Sequence, residues 1–344
     1  MKIDLTETTS SKINQALVSA RRAVGTPAIG MVLTLVIVTD EENAYDALKA
    51  ASDSSREHPS RIIAVIKRVS RSPRSRRDAR LDAEVRVGSD SGSGETIVLR
   101  LHGELANHAQ SVVLPLLLPD APVVLWWPED APSDPAKDPL GALAQRRITD
   151  AYSAEEPSAE LTARAQSYTP GDTDLSWTRI TPWRSMLAAA LDQKPVEVLS
   201  ATVEGESENP SCELLAMWLA DRLKVPVQRT LSAGPGLTAV RMETKEGTIV
   251  LDRPDGSLAT LSMEGQPNRA VALKRRETAE LLAEELRRLD PDNTYEATVK
   301  FGVDNLAGAA APEPAAAKAS EPAATPAPSP APAKKSAAKR AAAK

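Results

Sequence analysis

Tryptophan and arginine are the residues of this chain whose spacing asks for a chemical explanation. Trp126 and Trp127 are adjacent in Pro122-Val-Val-Leu-Trp-Trp-Pro128, and Trp177, Arg179, Trp183 and Arg184 fall in Asp174-Leu-Ser-Trp-Thr-Arg-Ile-Thr-Pro-Trp-Arg184. The chain holds five Trp against four Tyr and one Phe, so gathering four indoles into two short motifs needs a local reason. Trp and Arg are the types most enriched at interface hot spots, which makes Trp126, Trp127, Trp177, Arg179, Trp183 and Arg184 candidate partner-binding residues. The competing reading is burial, the commoner fate of an indole. On that reading the rings plug cores, and Arg179 or Arg184 pairs internally with Asp172, Asp174 or Asp192.

Other chemistries find little support. His58, His102 and His108 lack the spacing of a zinc site, no Gly-x-Gly-x-x-Gly follows a strand, and there is no Walker-type Gly-Lys-Thr or Gly-x-Ser-x-Gly elbow. Gly88-Ser-Asp-Ser-Gly-Ser-Gly94 resembles a phosphate cradle in composition but should join two antiparallel strands, and so reads as a flexible loop. Glu129/Asp130 and Asp172/Asp174 flank the aromatic motifs, although clustered carboxylates are more often solvated than catalytic. Cys212 falls at the third residue of a helix capped by Asn209. The helix terminus would lower its pKa, while Glu206, Glu208 and Glu213 and the apolar turn Leu214–Leu219 favour an inert, half-buried thiol over a redox group. No catalytic, cofactor-binding or metal-binding set emerges.

The elements that must hold these residues follow from periodicity. Ser11–Val24 has helical spacing and is closed by Gly25 and Pro27. Met31–Thr39 and Arg61–Val69 read as central strands, with a helix from an Asp40 N-cap to Glu57 between them. Leu81–Val87 and Thr96–Leu101 read as a hairpin, Leu105–Leu118 as a helix, and Pro122–Trp127 as a strand covered on both faces. Val123 and Leu125 should then face one way, Val124 and Trp126 the other. Asp138–Ala151 and Ser158–Ser167 are expected to be helical. Lys194–Val203, Pro210–Leu223 and Pro226–Leu231 form a βαβ unit, with Pro210 at the first helical position. Leu237–Glu243, Thr248–Arg253, Ser257–Met263 and Arg269–Lys274 alternate around turn residues as a meander. Glu277–Leu289 should close that domain as a helix, and Tyr295–Phe301 adds an edge strand.

The expected fold class is α/β, with α+β character in the C-terminal half: two mixed-sheet domains and a disordered Ala/Pro/Lys-rich tail. The boundaries read as 1–150 for an N-terminal α/β domain, 151–192 for a helical connector with the Trp/Arg motif, 193–303 for a C-terminal α+β domain, and 304–344 for the tail. At 344 residues, 42% apolar and 26% charged, the composition is that of a globular protein. The formal charge of −5 divides into +4 on residues 307–344 and −9 on the rest. An acidic body is poorly suited to specific nucleic-acid binding, leaving at most weak polyanion contact through the tail. No apolar run approaches membrane-spanning length, the N-terminus does not read as a signal peptide, and one cysteine excludes an internal disulfide; a cytoplasmic protein is expected.

Leu116-Leu-Leu-Pro-Asp-Ala-Pro-Val-Val-Leu-Trp-Trp-Pro128, Arg147-Ile-Thr-Asp150 and the 174–184 motif together resemble the OpcA family of glucose-6-phosphate dehydrogenase assembly proteins, over residues 1 to about 303. The resemblance implies a non-catalytic protein without cofactor that binds glucose-6-phosphate dehydrogenase and promotes its assembly or raises its activity in the oxidative pentose phosphate pathway. Cysteine-based redox control, known in some members, lacks a second cysteine here. Two other readings stay open: a sugar-phosphate enzyme or sensor with Arg179 and Arg184 on phosphate, and a nucleic-acid-associated protein acting through the tail.

Overall fold

A computed structural model describes residues 1–25, 30–68, 79–88, 94–193 and 196–306. Pro27, the basic stretch 70–78, most of the Gly88–Gly94 loop and the tail beyond 306 lie outside the described residues.

The first half builds an eight-stranded sheet. Its strands are β1 (Lys2–Leu5), β2 (Leu33–Thr39), β3 (Ser60–Arg68), β4 (Arg80–Val87), β5 (Glu95–His102), β6 (Val123–Trp126), β7 (Arg146–Thr149) and β8 (Asp172–Asp174). The order is β1-β4-β5-β3-β2-β6-β7-β8, antiparallel among the first three and parallel from β5 onward. Central parallel strands are covered twice, which is why Leu33–Val38 and Ile62–Ile66 are apolar at almost every position. Helix α1 (Ser10–Val24) covers one face, together with a segment centred on α3 (Ala109–Val113). Thr9 accepts from Lys12 N at its start, and Gly25, at φ 69°, ends it in the left-handed conformation that glycine adopts without strain. Helix α2 (Ala44–Ser54) lies on the opposite face.

The second half runs α4 (Pro157–Ser167), α5 (Leu175–Arg179), α6 (Thr181–Gln193), β9 (Val198–Gly205), α7 (Pro210–Leu223), β10 (Val227–Leu231), β11 (Leu237–Thr244), β12 (Gly247–Asp252), β13 (Leu258–Met263), β14 (Arg269–Ala272), α8 (Thr278–Arg287) and α9 (Asn293–Leu306). Its six-stranded sheet has the order β10-β9-β11-β12-β13-β14, with only β10 and β9 parallel. The expected βαβ unit and meander are both present. Helices α6, α7 and α9 pack Leu187, Leu215, Leu219 and Val299 over one face of this sheet.

Several expectations are corrected. Residues 138–151 are not a helix: a 3-10 turn at Gly141–Leu143 leads into β7. Tyr295–Phe301 is part of α9, not a strand, because Asp292 accepts from Thr294 N and Tyr295 N at 2.8 and 3.0 Å and so starts a helix. Residues 304–306 belong to that helix and not to a tail. The helix after Asp40 begins later, at Ala44, with Asp40 accepting from Asn43 N, and ends at Ser54. Pro115 limits α3 to five residues between 3-10 turns. The helix expected over Glu277–Leu289, seen as α8, does not close the second sheet. Leu281, Leu282 and Leu286 of α8 pack with Leu35, Ile37, Val124 and Trp126, on the face of the first sheet shared with α2.

Candidate functional site

The Trp/Arg motif sits where the two sheets meet. It begins as β8, which pairs with β7 through Arg147↔Asp172 and Thr149↔Asp174. Asp174 is fully buried, and its position follows from what it accepts: Thr149 Oγ1 at 2.6 Å, Ala151 N at 2.9 Å and, as N-cap of α5, Ser176 N at 2.8 Å. One carboxylate therefore fixes the end of a strand, the following loop and the start of a helix. Beside it Arg147 binds Asp172 and donates to the carbonyls of Ala144 and Pro170 at 2.9 and 2.8 Å. Arg179 makes a two-pronged pair with the buried Asp150, both contacts 2.6 Å.

A second set of bonds ties the motif to the chain's last helices. Glu285 of α8 accepts from Thr178 Oγ1 at 2.7 Å and pairs with Arg146 of β7. Asp292, ahead of α9, accepts from Trp177 Nε1 at 2.8 Å. The Trp177 ring is packed by Tyr295, centroids 5.6 Å apart, and covered by Arg184, whose guanidinium lies 3.5 Å from its centroid. Arg184 donates to Thr181 Oγ1 at 3.1 Å, its Nε has no partner, and it forms no ion pair among the described residues. Burial accordingly pulls its pKa down to about 10.

All four motif indoles are interior. Trp126, Trp127, Trp177 and Trp183 are exposed by 1, 2, 1 and 2%. Trp126 and Trp127 point to opposite faces of the first sheet, while Trp177 and Trp183 belong to the core under the second. The expectation that these rings form a gripping surface meets a different arrangement: in this conformation they support the surface from below. The physical reason is scarcity, since with a single Phe in the chain the indoles are the large apolar bodies available to fill interior space. Gly141 shows how closely one is packed: a Cβ there would meet Pro135 O and lie 3.2 Å from Trp127. Arg179 and Arg184 do come together with Trp177 and Trp183, but the carboxylate that neutralises Arg179 is Asp150, not one of the three aspartates expected. Asp150 stands in the Arg-Ile-Thr-Asp motif, the one sequence signal that singled it out.

The remaining candidates resolve individually. Cys212 is fully buried in the second core, and burial pushes its thiol up to about 12, so the helix terminus does not make it reactive. Glu129, Asp130, Asp40 and Asp138 gather around a cleft of about 290 Å³ at the C-terminal ends of β2 and β6. In such sheets this edge commonly holds ligands. Here the turn after β2 reads Asp-Glu-Glu-Asn without a glycine, and burial with the nearby Asp40 and Asp130 raises the Glu129 pKa. Such an edge repels phosphate. Among the described residues no group of three or more His, Cys, Asp or Glu could hold a metal ion, and no helix is long and apolar enough to cross a membrane.

Two further cationic side chains without an acidic partner among the described residues, Arg253 and Arg275, lie around a shallow cleft of about 70 Å³ between the motif and the second sheet. Arg253 is the member that sequence reading missed. It appears there only as the end of a strand, yet it is 5% exposed with its guanidinium 5.0 Å from the Trp183 ring centroid.

Solved structures with a similar course of chain include KijD10, a 3-ketoreductase from Actinomadura kijaniata (10% identity, TM-score 0.44, 79% of this chain and 94% of that one), and a probable oxidoreductase, yhhX (10%, 0.43, 82% and 98%). An oxidoreductase from Sinorhizobium meliloti is similar at 9% identity and TM-score 0.39, over 78% of this chain and 86% of that one. These likenesses are too remote to bear on activity. No curated protein matches the chain. Two family models match in succession, both describing a glucose-6-phosphate dehydrogenase subunit: its N-terminal domain over residues 51–166, and its C-terminal domain over 170–299.

Proposed function

The chain belongs to the OpcA family of glucose-6-phosphate dehydrogenase assembly proteins, and from that premise we propose that it is a non-catalytic partner that binds this dehydrogenase and promotes its assembly or raises its activity. What supports the reading is the succession of both family domains in order along the chain, over 51–166 and 170–299. The geometry supports it in one respect. The cross-bracing through Asp174, Glu285 and Asp292 makes the junction rigid, and a preorganised surface loses less entropy on docking than a flexible one. The contact surface is then the polar skin over the junction, with the indoles holding it in shape.

A partner of this kind acts by binding one state of the dehydrogenase better than another. A difference of about 1.4 kcal/mol shifts the ratio of two states tenfold. The test combines size-exclusion of the purified pair with dehydrogenase initial rates over a titration of this chain. Co-elution with a saturable rise in rate is expected. Separate elution together with rates that stay flat across the titration would remove the proposal.

A further inference from the structure

The cleft between α6 and the second sheet is lined by five cationic side chains, Arg179, Arg253, Lys274, Arg275 and Arg276, and by no carboxylate. Three of the five are neutralised from outside the cleft: Arg179 by Asp150, Lys274 by Glu280 and Arg276 by Glu284. The other two have no acidic partner among the described residues. Arg253 donates to the carbonyls of Leu273 and Leu237 at 2.7 and 2.8 Å, its Nε is buried without a partner, and it is 95% buried. Arg275 reaches only Tyr152 Oη, at 3.5 Å. Asp255 acts on Arg253 through space but forms no ion pair with it among the described residues, and caps its own turn by accepting from Ser257 N and Leu258 N at 2.9 and 3.3 Å. A buried guanidinium without a counter-ion is costly unless something supplies the missing charge. The turn of α7, where the helix dipole is positive, forms the adjoining wall through Asn209 and Ser211. Trp183, Leu237 and Leu273 back the rest, so the cleft joins an anion-seeking end to an apolar side.

We propose that this cleft binds the phosphate group of a small phosphorylated metabolite, held between Arg253 and Arg275, with the carbon skeleton lying across the open mouth beside the wall backed by Trp183 and Leu273. Guanidinium pairs suit a phosphate because their planar forks match its oxygens, and an acid-free lining removes the competitor. The site belongs to this chain alone and does not depend on the dehydrogenase partnership.

Calorimetric titration of the full chain with inorganic phosphate, a hexose monophosphate and the unphosphorylated hexose tests it. The hexose monophosphate should bind, phosphate should bind more weakly, and the plain hexose should give no heat. Arg275→Glu, at an exposed position, should weaken hexose-monophosphate binding by about tenfold or more, the loss of one charge-assisted hydrogen bond, without moving the thermal midpoint. Arg253→Gln should weaken it further, and where that variant fails to fold Arg275→Glu decides alone. Absence of binding by both phosphate compounds, or equal binding by wild type and Arg275→Glu, overturns the proposal. So does a result in which Arg275→Glu disrupts only dehydrogenase capture, which would assign the cleft to a carboxylate of the partner protein.

Discussion

At the scale of single residues, the junction is held by carboxylates that each serve several donors. Asp174→Ala strands Thr149 Oγ1, Ala151 N and Ser176 N in a site without water access, and should lower stability by about 3 kcal/mol, read as a fall in the urea midpoint at unchanged slope. Cys212 gives a pH-dependent prediction. Its pKa is raised from 9 in the unfolded chain to about 12 in the folded one, so between those values the unfolded state has lost a proton that the native state keeps. Stability contributed by the buried thiol is therefore complete below pH 9 and falls as pH rises, by up to about 1.4 kcal/mol per unit, which denaturant titrations on the alkaline side will show as a declining midpoint absent in Cys212→Ala. In the native protein at neutral pH the thiol should resist a thiol reagent until denaturant is added. The sequence already favoured an inert Cys212, because the apolar turn after it is visible. It could not rank Asp150 or Arg253, whose importance comes from partners far along the chain.

At the scale of elements, strands buried on both faces were easy to read and polar ones were not. Leu33–Val38 and Val123–Trp126 declare themselves as unbroken apolar runs. Strand β7 reads Arg-Arg-Ile-Thr, and its arginines are tolerated in the interior only because Glu285 and Asp172 meet them, a fact no local window contains. Helix α9 is rich in Thr, Tyr and Val and so imitates a strand, although Asp292-Asn-Thr ahead of it carried a readable cap. The leucine stripe of α8 was plain, but its destination was not. Leu282→Ala, at a fully buried position against the first sheet, should cost about 3 kcal/mol. Pulsed proteolysis should then find cleavage appearing in the first sheet, where an α8 that covered the second sheet would give cleavage there.

At the scale of the molecule, the described residues form one compact unit. The bonds from α8 and α9 into the 172–184 motif couple both sheets, so thermal unfolding of a chain ended after Leu306 should be a single transition by near-ultraviolet and far-ultraviolet signals alike. The same shortened chain should retain capture of the dehydrogenase, since the family match ends at 299. Loss of capture would assign the basic tail a part in docking.

The placement of α8 also has a bearing on how the protein is made. Leu35, Ile37, Val124 and Trp126 are translated early, yet three of the leucines that cover them, at 281, 282 and 286, leave the ribosome about 150 residues or more later. During synthesis the first sheet waits with one greasy side incompletely shielded, and a nascent chain released before residue 290 should be found bound to chaperones or in inclusion bodies.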